Sequence, residues 1–326
     1  MPQSARVSMA MVAQRAGVSG QTVSRVANGS PKVDPDTRRR VEQAMAELGY
    51  RPNRAARALR TGRTHTLGLV AQTLATIGNS RMLQAVAESA ASRGYALTVV
   101  TLGADGDIAE AFDRLRDQGV DGAIVLNEAT ALARDAAAAG LRLVVVDSPP
   151  DDRFTVIGTD HAAGARAATT HLLEAGHRTV HHLAGPAGSF AAFERERGWR
   201  EALDAAGAPI PEILRGDWAS ASGHRETTST LASSEVTAIF AANDQMALGA
   251  LRAIAESGRS VPHDVAVVGF DDIADAAEFL PPLTTVRQDF DALGELAVRS
   301  LVTRIEGGAD VAPDLLVPSL VLRASA

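Results

Sequence analysis

The feature that most constrains this chain is a rhythm that starts at Leu67 and persists to the far end. Short, almost wholly apolar runs alternate with alanine-rich stretches of helical length. Residues 67–71, 96–101, 122–126 and 141–146 are such runs, and 156–158, 179–184, 238–241, 265–269 and 284–287 continue the series. Stretches such as 80–94 and 129–140 have the length and composition of the intervening helices. A strand that is apolar on both sides must be covered on both sides, and a helix between successive strands supplies the cover. The pattern therefore predicts right-handed crossovers and parallel sheets. The runs are too many for one compact sheet, which predicts two similar α/β lobes facing one another across a cleft.

In sheets of this kind ligands bind beyond the carboxyl ends of the strands. The polar residues just after the apolar runs are Gln72, Thr73, Asn127, Asp147, Asn243, Asp244, Asp271, Asp272 and Gln288. Asn, Asp and Gln can each hold a hydroxyl group as donor or acceptor. Trp218 follows Gly216-Asp217 and offers a flat apolar face for a sugar ring. Arg195 follows Gly185-Pro186-Ala187-Gly188-Ser189 and can fork onto two vicinal hydroxyls. Each has a plainer alternative. Arg195 lies between Glu194 and Glu196, as on a solvated helix face; Asp147, Asp244 and Asp271 suit helix caps; Trp218 suits a core.

The N-terminal segment has a different texture. Residues 12–28 read as two short helices joined at Gly17. Ala13, Ala16 and Val18 form a small apolar face, Ser19 is an N-cap for the second helix, and Val23 and Val26 pin it to the first. Gly20, Gln21, Thr22, Ser24, Arg25 and Asn28 are left to face outward. Such a face suits the major groove, where Gln pairs with adenine and Arg with guanine; the alternative is a solvated helical hairpin. Ser8 is a cap for the first helix. Asp34-Pro35-Asp36-Thr37 opens a third, with Val41, Ala44, Met45 and Leu48 on one side and Gly49 at its end. Beyond it, Asn53 can cap a two-turn helix carrying Arg54, Arg57 and Arg60, with Ala55, Ala58 and Leu59 opposite. Paired with its copy on DNA, that segment could drive Leu59 between bases from the minor groove. It reads equally as a flexible basic linker.

Charge sharpens the division. The 326 residues carry a net −7, but residues 1–66 hold 12 Lys and Arg against 4 Asp and Glu, a balance of +8. Residues 67–326 hold 20 against 35, a balance of −15. A basic module on an acidic body predicts that only the module touches a polyanion. The absence of cysteine excludes disulfides and thiolate metal sites. The N-terminus lacks the apolar run of a signal peptide and no stretch reaches the length of a membrane span, so a cytoplasmic, nucleoid-associated protein is expected.

Catalytic signatures are missing. There is no Gly-x-Ser-x-Gly elbow, Walker A loop, Gly-x-Gly-x-x-Gly or His-Glu-x-x-His. His181 and His182 are neighbours in a strand and face opposite sides, so they cannot chelate together. Neither an enzyme, a metal site nor a cofactor is expected.

Several motifs carry a family resemblance. Ala16-Gly17-Val18-Ser19, Gln21-Thr22-Val23-Ser24-Arg25-Val26, Met45-Ala46-Glu47-Leu48-Gly49-Tyr50 and Pro52-Asn53 are among them. So are Ala242-Asn243-Asp244-Gln245-Met246-Ala247-Leu248-Gly249-Ala250, Val267-Val268-Gly269-Phe270-Asp271-Asp272 and Gln288-Asp289-Phe290. Over essentially its full length the chain resembles the lactose repressor (LacI/GalR) family of bacterial transcription regulators. The resemblance implies an α/β architecture with an all-α helix-turn-helix headpiece over residues 1–50, a hinge helix and linker over 51–64, and a two-lobed periplasmic-binding-protein-like core over 65–326. Lobe 1 would comprise about 65–160 and 290–317, and lobe 2 about 161–289 and 318–326. Arg195, Asn243, Asp271 and Gln288 would bind effector hydroxyls, with Trp218 and Phe290 as apolar walls and Gln72 and Asn127 facing them from lobe 1. Gln21 and Arg25 would read bases, and Leu59 would be the hinge wedge. The expected protein is a homodimeric repressor of carbohydrate-utilisation genes, bound to double-stranded operator DNA and released by a sugar. A co-repressed regulator binding a nucleobase, or a sugar-transport receptor, are the alternatives. Three departures stand out: Gly20 lacks a side chain where relatives place one, Met11 replaces an acid, and Ser148-Pro149-Pro150 replaces a stretch that supplies a cleft aspartate. The chain stops at Ala326 without a heptad tail, so a tetramer built that way is not expected.

Overall fold

Helix punctuation in the first fifty residues follows from local chemistry. In the computed structural model, helix α1 (Met9–Ala16) begins at Ser8, whose side chain accepts from the Met11 N–H, and ends at Gly17, which takes the left-handed φ of 65° that a side chain would resist. Helix α2 (Gly20–Ala27) is capped by Ser19, whose Oγ accepts from the Thr22 N–H at 3.2 Å. Helix α3 (Pro35–Leu48) starts with Pro35 behind Asp34, whose carboxylate accepts from the N–H groups of Asp36 and Thr37 at 3.1 and 3.0 Å. Val12, Ala13, Ala16, Val23, Val26, Val41 and Ala44 form the miniature core of this bundle. The structure describes residues 7–27, 30–50, 58, 62–103, 106–129, 140–233, 235–308 and 315–326.

The chain divides into two units, Met1–Thr64 and His65–Ala326. The larger contains two six-stranded sheets. The first holds β1 (Thr66–Ala71), β2 (Ala96–Thr101), β3 (Gly122–Leu126), β4 (Leu143–Val146), β5 (Thr155–Thr159) and β11 (Leu315–Leu316), in the order β11-β5-β4-β3-β1-β2. The second holds β6 (His181–Ala184), β7 (Leu214–Arg215), β8 (Ala238–Ala241), β9 (Ala266–Asp271), β10 (Thr284–Arg287) and β12 (Ser319–Val321), in the order β12-β10-β9-β8-β6-β7. The two orders are equivalent. Every pairing is parallel except β10 with β12.

Pleating explains the unbroken apolar runs. In β1, Leu67, Leu69 and Ala71 point into one core layer with helices α4 (Ile77–Ser92) and α10 (Phe290–Glu306), while Val70 points into another with α5 (Ile108–Asp117). The second sheet is clad likewise. Helices α8 (Ser220–Ser233) and α9 (Asp244–Glu256) lie against one face, and α6 (His161–Glu174) and α7 (Phe190–Ala206) against the other. The nine runs read as strands are all strands, with ends moved by up to two residues. Strands β7, β11 and β12 have no sequence counterpart, since two or three residues at a sheet edge carry too little pattern. Most of the helix expected over 129–140 lies outside the described residues.

The chain passes between the sheets three times. It leaves the first sheet after Thr159, and Asp160 caps α6 on the second. It leaves the second after Arg287, and Asp289 caps α10, which packs against α4 and the first sheet. It crosses again between β11 and β12. No helix among the described residues is long and apolar enough to span a membrane.

Close contact of α6 with α7 depends on Gly198. A Cβ there would lie 2.1 Å from the backbone oxygen of Ala162, so α6 itself would have to move. Gly198→Ala is expected to lower stability by roughly 1–3 kcal/mol in urea unfolding. Gly188→Ala, where a Cβ meets nothing within 4 Å, should change it by less than about 0.5 kcal/mol. Equal effects would contradict this account of the contact.

Candidate functional site

Two surfaces concentrate polar chemistry, one in each unit. On α2, Val23 and Val26 are buried, which turns the opposite face outward. Ser19, Gly20, Gln21 and Arg25 are exposed, and Thr22 and Ser24 are half-buried at its margin. Ser19 spends its hydroxyl on the cap and on Thr22 Oγ1 at 3.0 Å. Gln21 and Arg25 are i, i+4 neighbours and so project from one side of the helix. Asn28, Asn53, Arg54, Arg57 and Leu59 lie outside the described residues.

The second surface is a cleft between the lobes of about 490 Å³, its mouth included. Lobe 1 contributes Thr76, Gly78, Asn79 and Met82 from the start of α4, Asn127 after β3, Asp147 after β4, and Phe290 and Leu293 from α10. Lobe 2 contributes Ala191 and Arg195 from α7, Trp218 before α8, Asn243 after β8 and Asp271 at the end of β9. Gln288, beyond β10, lies on the second crossover and completes the lining. Of the eight residues nominated from the sequence, seven line this cavity. Gln72 does not: its amide donates to the carbonyl of Gly103.

Five lining residues, Asn127, Asp147, Asn243, Asp271 and Gln288, are where strand ends place them. Asn127, Asp147, Trp218 and Asp271 all adopt left-handed backbone, with φ of 45°, 55°, 73° and 112°. Such conformations are uncommon outside glycine, and they turn each side chain sharply off its strand or loop. Trp218 has room because Gly185 lies beneath it, where a Cβ would come within 2.3 Å of the indole. Asn243 caps α9 with its Oδ1 and donates from Nδ2 to the Trp218 carbonyl at 3.0 Å. Its amide therefore supports the tryptophan loop as well as facing the cavity.

Arg195 is 4% exposed, so it is no solvated helix residue. Its guanidinium donates to the carbonyl of Ala242 and to His161 Nδ1, lies 3.5 Å from Asp271, and stacks 3.9 Å from the Phe270 ring centre. Gln288 Nε2 donates to Asp271 at 2.6 Å. Asn127 donates to Asn79 Oδ1 at 2.5 Å, and Asn79 to the Thr73 carbonyl at 2.9 Å. Asn79 and Asp147 are thus part of the site although neither was carried forward from the sequence. For Asp147 the signal existed, since it follows a strand like the others; Asn79 sits two residues into a helix and had none.

Electrostatics distinguish the carboxylates. Burial pushes the Asp147 carboxyl up, but His161, the Thr159 N–H and Arg195 outweigh it and hold it below the ordinary range. Burial dominates at Asp271, and its pKa is raised despite Arg195 and Gln288. Burial, with the nearby Asp271 charge, pushes Asp244 up to about 8. Asp244 accepts from Thr285 Oγ1 at 2.5 Å and from the Ile273 N–H at 2.8 Å, and so anchors the turn that carries Asp271 and Asp272. Carboxylates, amides and one guanidinium, alternating with Met82, Trp218, Phe290 and Leu293, form a lining that matches a molecule with polar edges and apolar faces.

Two expectations follow. A Cβ at Gly20 would meet nothing within 4 Å, and its φ is not left-handed, so the fold does not require glycine there. Gly20→Ala should leave thermal stability unchanged or raise it by up to about 1 kcal/mol; a clear loss would show a structural demand. Asp244 keeps in the folded state a proton that the unfolded chain releases near pH 4. Its contribution to stability is therefore lost as pH rises from about 4 to about 8. Denaturation of wild type and Asp244→Asn across that window should show the difference drifting towards the variant, and parallel curves would exclude a raised Asp244.

Residues 8–53 match the family model of bacterial regulatory proteins of the lacI family, and residues 169–326 match a periplasmic binding protein-like domain. The chain is 39% identical over 319 residues to the lactose operon repressor of Escherichia coli (strain K12), covering 96% of this chain and 88% of that protein. It is 39% identical over 320 residues to the transcriptional regulator CelR of Thermobifida fusca, covering 94% of each. Among solved structures, the lac repressor dimer bound to operator and the anti-inducer ONPF superposes with a TM-score of 0.88 at 37% identity, over 98% of this chain and 99% of that one. A CelR–cellobiose complex superposes with a TM-score of 0.76 at 37% identity, over 98% and 100%. These likenesses extend across headpiece and core alike, and the chain belongs to the LacI family of bacterial regulatory proteins.

Proposed function

We infer that this protein is a DNA-binding transcriptional repressor that releases its operator when a sugar fills the cleft. The observation that most supports the sugar is the lining itself: carboxylates, amides and a buried guanidinium set around Trp218 and Phe290. A pyranose presents that pattern, with hydroxyls at its edge and C–H groups on its faces. Arg195 is held to receive a pair of hydroxyls, Asp271, Gln288, Asn243 and Asn127 to take others, and Trp218 and Phe290 to cover the ring. The relatives support the same class, since one is a lactose operon repressor and another is known as a complex with cellobiose.

At the other end, α2 reads an operator half-site from the major groove. Gln21 and Arg25 contact base edges, with Ser19, Thr22, Ser24 and Asn28 beside them and no side chain at Gly20. Asn53, Arg54, Arg57 and Leu59, outside the described residues, contact the minor groove, one set from each copy of a homodimer. The +8 balance of residues 1–66 confines DNA contact to this module. The protein then acts at the nucleoid, in the cytoplasm. Effector and operator oppose one another because each binds one lobe arrangement better, and each weakens the other by the same factor.

Thermal-shift measurements with glucose, galactose, lactose and cellobiose, followed by operator release monitored by fluorescence anisotropy, test this reading. Arg195→Ala and Asp271→Ala should keep operator affinity and lose the sugar response. Unchanged sugar affinity in both would place the effector elsewhere. Arg25→Ala should lose about 1–3 kcal/mol of discrimination at one base. Equal losses on operator and random DNA would reduce Arg25 to a phosphate contact.

A further inference from the structure

We propose that His161 is a positioning residue that couples the lobe crossover to the effector arginine. It rests on the effector reading of the cleft. His161 is the first residue of α6, immediately beyond the crossover at Asp160, and it is 1% exposed. It does not line the cavity but lies behind it, between two residues that do.

On one side, Nδ1 accepts from Arg195 Nε at 3.4 Å and lies 3.3 Å from Arg195 Nη2. A guanidinium only donates, so Nδ1 carries no proton and the ring proton sits on Nε2. On the other side, Nε2 lies 3.1 Å from Asp147 Oδ1, a close charge–dipole contact in which the N–H is not aligned as a hydrogen bond. Asp147 is itself held by lobe 1: its N–H donates to the Ile157 carbonyl at 2.9 Å, and its Oδ1 accepts from the Thr159 N–H at 3.1 Å. Gly158 leaves room for that carboxylate, because a Cβ there would fall 2.6 Å from Oδ1.

The two halves of this bridge differ in kind. Arg195 and His161 both belong to lobe 2, so their contact moves as a unit with that lobe. Asp147 belongs to lobe 1, so its contact with His161 spans the lobes and must change when they rotate about the crossover. Arg195 has other anchors within lobe 2, at Ala242 and Asp271. His161 is therefore the element by which the position of lobe 1 reaches the guanidinium that meets the effector. Loss of the first half removes aim; loss of the second removes communication.

Two isosteric variants separate the halves. His161→Asn places an acceptor where Nδ1 stood but does not reach Asp147. His161→Gln reaches Asp147 but withdraws the ring-nitrogen acceptor from Arg195. With whichever of glucose, galactose, lactose or cellobiose binds wild type, His161→Asn should keep sugar affinity within about threefold, while the factor by which saturating sugar weakens operator binding falls about tenfold. His161→Gln should lose about tenfold in sugar affinity. A residue that merely fills space would change affinity and release together in both variants, and that result, or no change in either, overturns the proposal. A measurement on the ligand-free protein stands apart from the sugar. In ¹⁵N-histidine spectra, the resonances that disappear in both variants should report the Nε2–H tautomer. An Nδ1–H tautomer overturns the proposal even if the effector reading holds. If none of the four sugars binds, the sugar reading fails while the tautomer still decides the role of His161.

Discussion

The cleft depends on how the buried charge of Arg195 is compensated. A guanidinium removed from water costs several kcal/mol unless its donors find acceptors. Arg195 finds them in the Ala242 carbonyl, the His161 ring and the Asp271 carboxylate, with the Phe270 ring against its flat face. Each partner comes from a different element: the end of β8, the start of α6 and the end of β9. The charge thus fixes the relative positions of three strand and helix ends that random packing would leave free. Once it is fixed, Asp271 positions Gln288, and Asp244 positions the turn beneath Asp271.

The same arrangement prepares the cleft to bind. Asn79, Asn127, Arg195, Asn243, Asp271 and Gln288 are held by one another or by backbone, so a hydroxylated ligand meets groups that need little reordering, which limits the entropic cost of binding. The left-handed residues Asn127, Asp147, Trp218 and Asp271 are strained positions maintained by the surrounding sheet ends. Direct ties between the lobes are few where the structure describes them. One is the hydrogen bond from the Ile77 N–H to Gln245 Oε1 at 3.1 Å, and another is the 3.1 Å approach of His161 Nε2 to Asp147 Oδ1. Interfaces held by a few polar contacts can exist in two arrangements, which is what an effector-controlled repressor requires.

Much of this was legible in the chain. The apolar runs that became β1, β3 and β8 carry their own boundaries, because a strand buried on both faces admits few polar residues until it ends. The caps Ser8, Ser19 and Asp34 and the terminators Gly17 and Gly49 act on neighbours within a few residues, so local sequence is enough to place them. Asn127, Asn243, Asp271 and Gln288 were visible as polar residues just past strands. Gln72 fits the same description, yet it turns to the carbonyl of Gly103, which is distant in sequence and close in space. Asn79 and His161 had no comparable mark.

What the sequence determined alone is whatever depends on contacts between near neighbours or on period: the helix ends, the two-sided strands, the basic module and the acidic body. What tertiary structure decided is which of the polar strand ends face one another. That choice rests on three crossovers bringing Asp147 of one lobe to the crossover residue His161, and through it to Arg195 of the other. Such meetings are set by the stacking of whole sheets and helices, and no local pattern of residues encodes them.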